Sequence, residues 1–240
     1  MELNERQQTI YSLLREKKRV RVRELAGALY VAEMTVRRDL AAMESAGYLR
    51  RYHGGAILPE DGSAGPISLR RYEHDAEKRR LAKRAAAYLA DGLSVFLDSS
   101  STVSYLIPYL AQYRELSVFT NSVCSSRQLA ERHIPHHLLG GDYWEQDMCT
   151  IGSVTEEQAA RLNVDVAFFS IFAMTDEQLL TDPSAPQLAV RRRILQNAKI
   201  SVFLLEASKI HCPASLYTLC HAEDVTAILT PENDPHPPGD

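Results

Sequence analysis

Six short apolar runs punctuate the chain from residue 93 onward: LSVFLD, LSVFTN, HHLLGG, VDVAFFSIFAM, ISVFLLE and VTAILT. Between them lie stretches of helical spacing, STVSYLIPYLAQY, SVCSSRQLAER, VTEEQAARL and QLAVRRRILQNA. A strand that is apolar on both faces must be covered on both faces. Strands of that kind alternating with helices therefore predict an α/β domain with a mainly parallel, doubly wound sheet. A helical segment leads into it, SLRRYEHDAEKRRLAKRAAAYLADG, with Leu81, Ala85 and Leu89 as its apolar side and Gly92 at its end.

The first 57 residues follow another pattern. Asn4 is placed to cap a helix through Gln7, with Ile10, Leu13 and Leu14 as its stripe, and the basic stretch KKRVRV ends it. RELAGALYV reads as a second short helix. A third begins near Ala32 and carries Val36, Leu40 and Met43 at i, i+4 and i+7, with Gly47 as its stop. YLRRYHGGA follows as strand, glycine turn and return strand. Three short helices and a hairpin make a winged helix-turn-helix, so the expected organisation is 1–57 winged domain, 58–66 linker, 67–230 α/β domain and 231–240 disordered tail. LPEDGSAGP and PENDPHPPGD carry the Pro, Gly and acidic composition of such segments.

Charge divides the same way. Residues 1–57 hold 11 Lys+Arg against 7 Asp+Glu, a net +4, inside a chain of net −4. A basic small domain on an acidic body points to a polyanion for the small domain alone. With Val36, Leu40 and Met43 turned inward, Glu33, Thr35, Arg37 and Arg38 face outward from the N-terminal half of the third helix. That half of a recognition helix reaches base edges and phosphates in the major groove. An arginine fork serves guanine or phosphate equally. Arg50, Arg51, His53 and Gly54 belong to the wing, expected on phosphate or the minor groove. The competing picture is a small helical bundle whose arginines are merely solvated.

ERQQTIYSLL…VRVRELAGALYVAEMTVRRDLAAMESAGYLRRYHGGA resembles the DNA-binding domain of the DeoR family of bacterial transcription regulators, through TVRRDL, GYL and HGGA in order. The resemblance continues in EKRRLAKRAAAYLADGLSVFLDSSST, VFTNS, LLGG, LTDPS, AVRRRIL and ASK, which are similar to the family's sensor domain. It implies a larger domain with the fold of ribose-phosphate isomerases, an effector that is a phosphorylated sugar, and a homo-oligomer, dimer or tetramer, on a double-stranded DNA operator. Ala32 stands where the family usually has serine, and Glu206 where it often has aspartate.

The polar residues after the apolar runs supply their own argument. Asp98, Ser99, Ser100, Ser101 and Thr102 follow the first, Thr120, Asn121 and Ser122 the second, Gly140 and Gly141 the third, and Glu206, Ser208 and Lys209 follow ISVFLL. Open α/β sheets bind ligands at the carboxyl ends of their strands. Each segment alone reads as a cap or turn; four together read as a pocket for a small phosphorylated polyol. Carried over from the family, the effector residues are Asp98, Ser100, Ser101, Thr102, Thr120, Asn121, Ser122, Gly141, Arg191 and Lys209.

Other classes find little support. The start, MELNERQQTI, lacks a signal-peptide core, and no apolar run approaches a membrane span, so a cytoplasmic protein without a membrane is expected. Cys124, Cys149, Cys212 and Cys220 are scattered as reduced thiols would be, HIPHH lacks metal-ligand spacing, and no cofactor or metal is implied. Asp98 and Glu206 are the only carboxylates at the strand ends, and no nucleophile–histidine set accompanies them. The expectation is a regulator, a repressor of a carbohydrate-use operon, and not an enzyme. The alternatives are a sugar-phosphate isomerase or deaminase carrying a DNA-binding module, and a regulator whose sensor domain has lost its ligand.

Overall fold

The computed structural model describes residues 3–45, 48–58, 67–71 and 73–233. The Gly47 stop, nearly all of the 58–66 linker and the tail beyond residue 233 lie outside the described residues. The chain forms two compact units, residues 1–73 and 74–240.

In the first unit, α1 (Glu5–Lys17) is opened by a capping box: Asn4 accepts from the Gln7 N–H at 3.0 Å and Gln7 Oε1 accepts from the Asn4 N–H at 3.2 Å. It is closed by Lys18 in the left-handed conformation. The basic stretch after it is more than a helix end. β1 (Arg19–Arg21) turns only Val20 inward and forms a strand. Next come α2 (Val22–Leu29), α3 (Glu33–Ser45), β2 (Arg50–Tyr52) and β3 (Gly55–Ile57). The sheet order is β1-β3-β2, all antiparallel, so the wing is three-stranded. A Cβ on Gly55 would lie 2.1 Å from the Val20 carbonyl oxygen, so only glycine lets β3 sit against β1 there. Ile10, Leu14, Leu25, Val36, Leu40, Met43 and Leu49 make the core.

Ala32 opens α3, its carbonyl accepting from the Thr35 and Val36 N–H groups, and its methyl offers no acceptor in return. Ala32→Ser is expected to stabilise this unit by about 1 kcal/mol. The check is a higher urea midpoint at unchanged slope.

The segment expected as one long lead-in helix is broken. α4 (Ile67–Arg70) belongs to the first unit, and α5 (Asp75–Ala85) opens the second after His74 in the left-handed conformation. Leu81, Ala85 and Leu89 are buried as their spacing requires. β4 (Ser94–Leu97) follows. STVSYLIPYLAQY, expected as a helix, is a 3-10 turn at Val103–Leu106 and a single α turn, α6 (Ile107–Leu110).

The remaining elements are β5 (Ser117–Thr120), α7 (Val123–Glu131), β6 (His136–Leu138), β7 (Asp142–Trp144), β8 (Cys149–Ile151), α8 (Ser153–Ala160), β9 (Val166–Phe169), β10 (Ala173–Met174), β11 (Leu179–Asp182), α9 (Ala185–Asn197), β12 (Ile200–Leu204), β13 (Tyr217–His221) and β14 (Ala227–Leu229). The main sheet has six parallel strands in the order β14-β12-β9-β4-β5-β6. Side chains alternate between two cores: Val95, Leu97, Val166, Phe168, Val202 and Leu204 on one face, Phe96, Ala167, Phe169, Phe203 and Leu205 on the other. Leu81 and Ala85 of α5 cover the first, and Leu188 and Ile194 of α9 the second. The hairpin β7-β8 and the small antiparallel sheet β10-β11-β13 are additions that the apolar runs did not announce.

Candidate nucleic-acid interface and effector site

On the first unit, α3 presents what its burial pattern requires. Val36, Leu40 and Met43 are sealed in the core, Glu33, Arg37 and Arg38 are exposed, and Thr35 is half-buried. Asp39, the carboxylate of VRRDL, is buried and serves the fold. Its oxygens accept from Arg6 Nε at 2.5 Å and Arg6 Nη2 at 3.2 Å, tying α3 to α1. Arg37 reaches Glu33 one turn back at 3.3 Å on the open surface, a contact worth little and easily exchanged for phosphate.

The wing is tied to the same helix. Arg51 donates through its backbone N–H to Glu44 Oε1 at 2.7 Å and through Nε to Glu44 Oε2 at 2.6 Å. These bonds hold the Glu44 carboxyl below its ordinary range. Arg19 stacks on the Tyr52 ring at 4.2 Å. Between helix and wing runs a groove of about 430 Å³, lined by Arg37, Arg51, His53, Gly54 and Gly55 among others. Arg50 and His53 are exposed, and Gly54 makes the two-residue turn with φ 92°. Every residue proposed from the sequence for DNA thus lies on α3 or the wing.

The second unit gathers its polar residues where strand order reverses. β5 and β6 lie on one side of β4, while β9, β12 and β14 lie on the other. The β4–β9 boundary is therefore the switch point, the place where open α/β sheets bind ligands. Asp98 stands there. Its Oδ1 accepts from the Ser100 N–H at 2.8 Å, and its Oδ2 accepts from the Ser170 N–H and from Arg191 Nε, each at 3.2 Å. Arg191 also donates Nη1 to Asp182 at 2.8 Å and Nη2 to Gln187 at 3.1 Å. Gln187 donates in turn to Asp147.

Beside this network is a second one built on Glu206. Lys209 Nζ lies 3.2 Å from Glu206 Oε2 and donates to Ser170 Oγ at 2.9 Å. Lys78, only 2% exposed, lies 3.7 Å from Glu206 Oε1 and donates to Ser101 Oγ at 3.1 Å. The Thr102 hydroxyl donates to the same carboxylate. Burial pushes the Glu206 carboxyl up, but Lys209, Lys78 and Thr102 outweigh it and hold it down at about 2.

A carboxyl held below its free value of 4.5 favours the folded state above that pH, and the contribution fades as pH falls towards about 2. Glu206→Gln is therefore expected to be less stable than the parent near neutral pH, with the gap closing in acid. Urea unfolding at about pH 6 and about pH 3 measures it.

The structure joins Asp98, Ser100, Ser101, Thr102, Arg191 and Lys209 into one contiguous polar cluster. Thr120, Asn121, Ser122 and Gly141 make local bonds and contacts, and Ser122 pairs with Cys149. Thr120 Oγ1 accepts from the Ser122 N–H at 3.0 Å, Ser122 caps α7 through the Ser125 N–H at 3.0 Å, and Asn121 Nδ2 donates to the Thr150 carbonyl at 3.0 Å. A Cβ on Gly141 would meet Thr155 Oγ1 at 2.0 Å, so packing alone requires that glycine. Lys78, Ser170, Asp182, Gln187 and Asp147 complete the cluster without having been singled out as site residues. For Lys78 a signal existed: it lies one turn before Leu81 and two before Ala85, on the apolar stripe rather than the charged face.

A family model described as the DeoR-like helix-turn-helix domain matches residues 6–61, and one described as the DeoR C-terminal sensor domain matches residues 73–232. The chain belongs to the DeoR family. It is a DNA-binding transcription regulator built of a winged helix-turn-helix unit and an α/β unit.

Its relatives in that family include three of nearly equal length. The HTH-type transcriptional regulator FruR of Bacillus subtilis is 27% identical over 94% of this chain and 90% of its own. The lactose phosphotransferase system repressor of Staphylococcus epidermidis is 28% identical over 94% and 90%. The L-fucose operon activator of Escherichia coli is 29% identical over 95% and 94%. Among solved structures, a D-ribose-5-phosphate isomerase in complex with phospho-erythronic acid gives a TM-score of 0.44 at 18% identity over 57% of this chain and 54% of that one. A probable sor operon regulator from Shigella flexneri gives 0.42 at 11% over 69% and 88%. Among the described residues no helix is long and apolar enough to cross a membrane, and no group of three or more His, Cys, Asp or Glu is placed to hold a metal ion.

Proposed function

We propose that this DeoR-family regulator is a cytoplasmic repressor of a carbohydrate-use operon, controlled by a phosphorylated sugar or sugar derivative bound at the switch point of its α/β unit. The observation that carries the reading is the convergence of Lys78 and Lys209 on one carboxylate, with Ser101 and Ser170 hydroxyls beside them. Two ammonium groups and two hydroxyls suit a phosphate, and Asp98 beside them suits sugar hydroxyls. A lactose phosphotransferase system repressor and an L-fucose operon activator among the relatives support the carbohydrate class. One small winged unit gives modest affinity, so the protein works as a homo-oligomer, dimer or tetramer, on repeated half-sites.

The effector residues named from the sequence fall into two groups in this proposal. Ser101, Thr102 and Lys209 face the phosphate, and Asp98, Ser100 and Arg191 set the floor of the pocket. Thr120, Asn121, Ser122 and Gly141 shape its wall.

Turnover is disfavoured by the same geometry. A general base works best with a pKa near the operating pH. Glu206 sits at about 2, Asp98 is bonded to Arg191, and the Cys149 thiol is pushed up to about 12, first by burial and then by Asp147. A second reading, an α/β unit that only assembles the oligomer, is favoured by the internal partners that Asp98, Arg191, Lys78 and Lys209 already have.

The test is binding of the full chain to DNA upstream of its own gene and to duplexes selected from a random pool, at two salt concentrations, with and without sugar phosphates. Salt-sensitive binding released by one compound is the expected result. Specific binding indifferent to the whole panel would leave the assembly reading, and turnover of a sugar phosphate would restore the enzyme.

A further inference from the structure

Met34, the second residue of α3, is a large apolar side chain that is 74% exposed. Folding gives no reason for it. The inner side of α3 is completed by Val36, Leu40 and Met43, all sealed in the core. Positions 34, 37, 38 and 41 share one face of a helix. Met34 therefore stands on the same face as Arg37 and Arg38, and nearer the N-terminal end, the end that enters the major groove deepest.

The chemistry of that groove narrows the partner. Its base edges are hydrogen-bond donors and acceptors with one apolar exception, the 5-methyl group of thymine. A thioether chain is a poor hydrogen-bonding group and a flexible apolar one, with three rotatable bonds to find its contact. Arginines on the same face bond guanine edges or phosphate and do not distinguish thymine by its methyl. We propose that Met34 is a specificity-determining residue that packs on a thymine methyl in each operator half-site. The proposal rests on the DNA-reading role of α3, and adds to it an apolar base feature that hydrogen-bonding side chains do not read.

The experiment uses the full chain. A binding sequence is selected from random duplex DNA, and each thymine in it is then replaced in turn by uracil, which removes only the methyl. At one thymine per half-site the parent protein is expected to bind about fourfold more weakly, the value of one methyl-sized apolar group, ~0.8 kcal/mol. In Met34→Ala that same replacement changes binding less than twofold, while Met34→Leu keeps the fourfold dependence. Tyr30→Ala is the contrast. Tyr30 is 95% exposed but lies in the turn before α3, and its loss leaves the methyl dependence intact. A recovered motif whose thymine methyls are all without effect, or whose methyl effect persists in Met34→Ala, overturns the proposal and leaves DNA binding standing. Failure to select any motif overturns both. The uracil scan on the parent protein needs no variant, so folding of Met34→Ala does not limit it.

Discussion

Arg191→Ala is expected to destabilise the α/β unit by about 3–5 kcal/mol, the range for removing one partner of a buried ion pair. The guanidinium is almost wholly buried and bonds Asp98, Asp182 and Gln187 from three different nitrogens. Alanine leaves the buried Asp98 and Asp182 carboxylates without that cation. Arg191→Lys restores the charge but offers one nitrogen for three directions, so it should recover only part of the loss. Urea unfolding of the full chain measures both, followed through a signal of the α/β unit. A loss below about 1 kcal/mol would mean that the carboxylates find other partners and that Arg191 is not the post of this cluster.

Arg38→Ala is expected to weaken operator binding by about 1–3 kcal/mol per reading unit, roughly 5- to 150-fold, if its fork bonds a guanine edge. Arg114→Ala, an exposed arginine of the α/β unit, should change binding little. Arg51 is predicted to matter less than Arg38, because it gives up its bonds to Glu44 when it turns to DNA. Titration of a labelled duplex at fixed salt compares them. Base-specific loss separates a guanine contact from a phosphate contact, which would weaken all sequences alike and lower the salt slope by about one. Equal effects at Arg38 and Arg114 would remove α3 as the reading helix.

Much of the site could be read along the chain because its causes are local. The spacing of Val36, Leu40 and Met43 fixes which side of α3 is buried, and so which side carries Arg37 and Arg38. Asn4 and Gln7 declare the start of α1 within one turn. What escaped lies where short range is ambiguous. Arg19–Arg21 looks like a charged helix end, and becomes a strand only because β3 lies alongside to pair with it. The runs YTLCH and LLTD are too short and too polar to separate from loops until they pair with one another.

The effector site divides along the same line. Ser and Thr after an apolar strand mean cap or ligand with equal right, and sequence order cannot decide between them. The folded chain shows Thr120 and Ser122 spending their oxygens on local N–H groups, while Ser101 and Thr102 bond Lys78 and Glu206, remote in sequence.

By itself the sequence determined the two-unit plan, the winged reading head, the parallel sheet and the family, because periodicity and short motifs express contacts within a turn or a strand. Only the tertiary structure decided that Lys78 is buried beside Glu206, that Asp98 bonds Arg191, and that the polar cluster gathers at the ends of β4, β9 and β12. Those contacts join residues about a hundred positions apart, and the pairing of a buried charge is settled by which elements pack together, not by its neighbours in the chain.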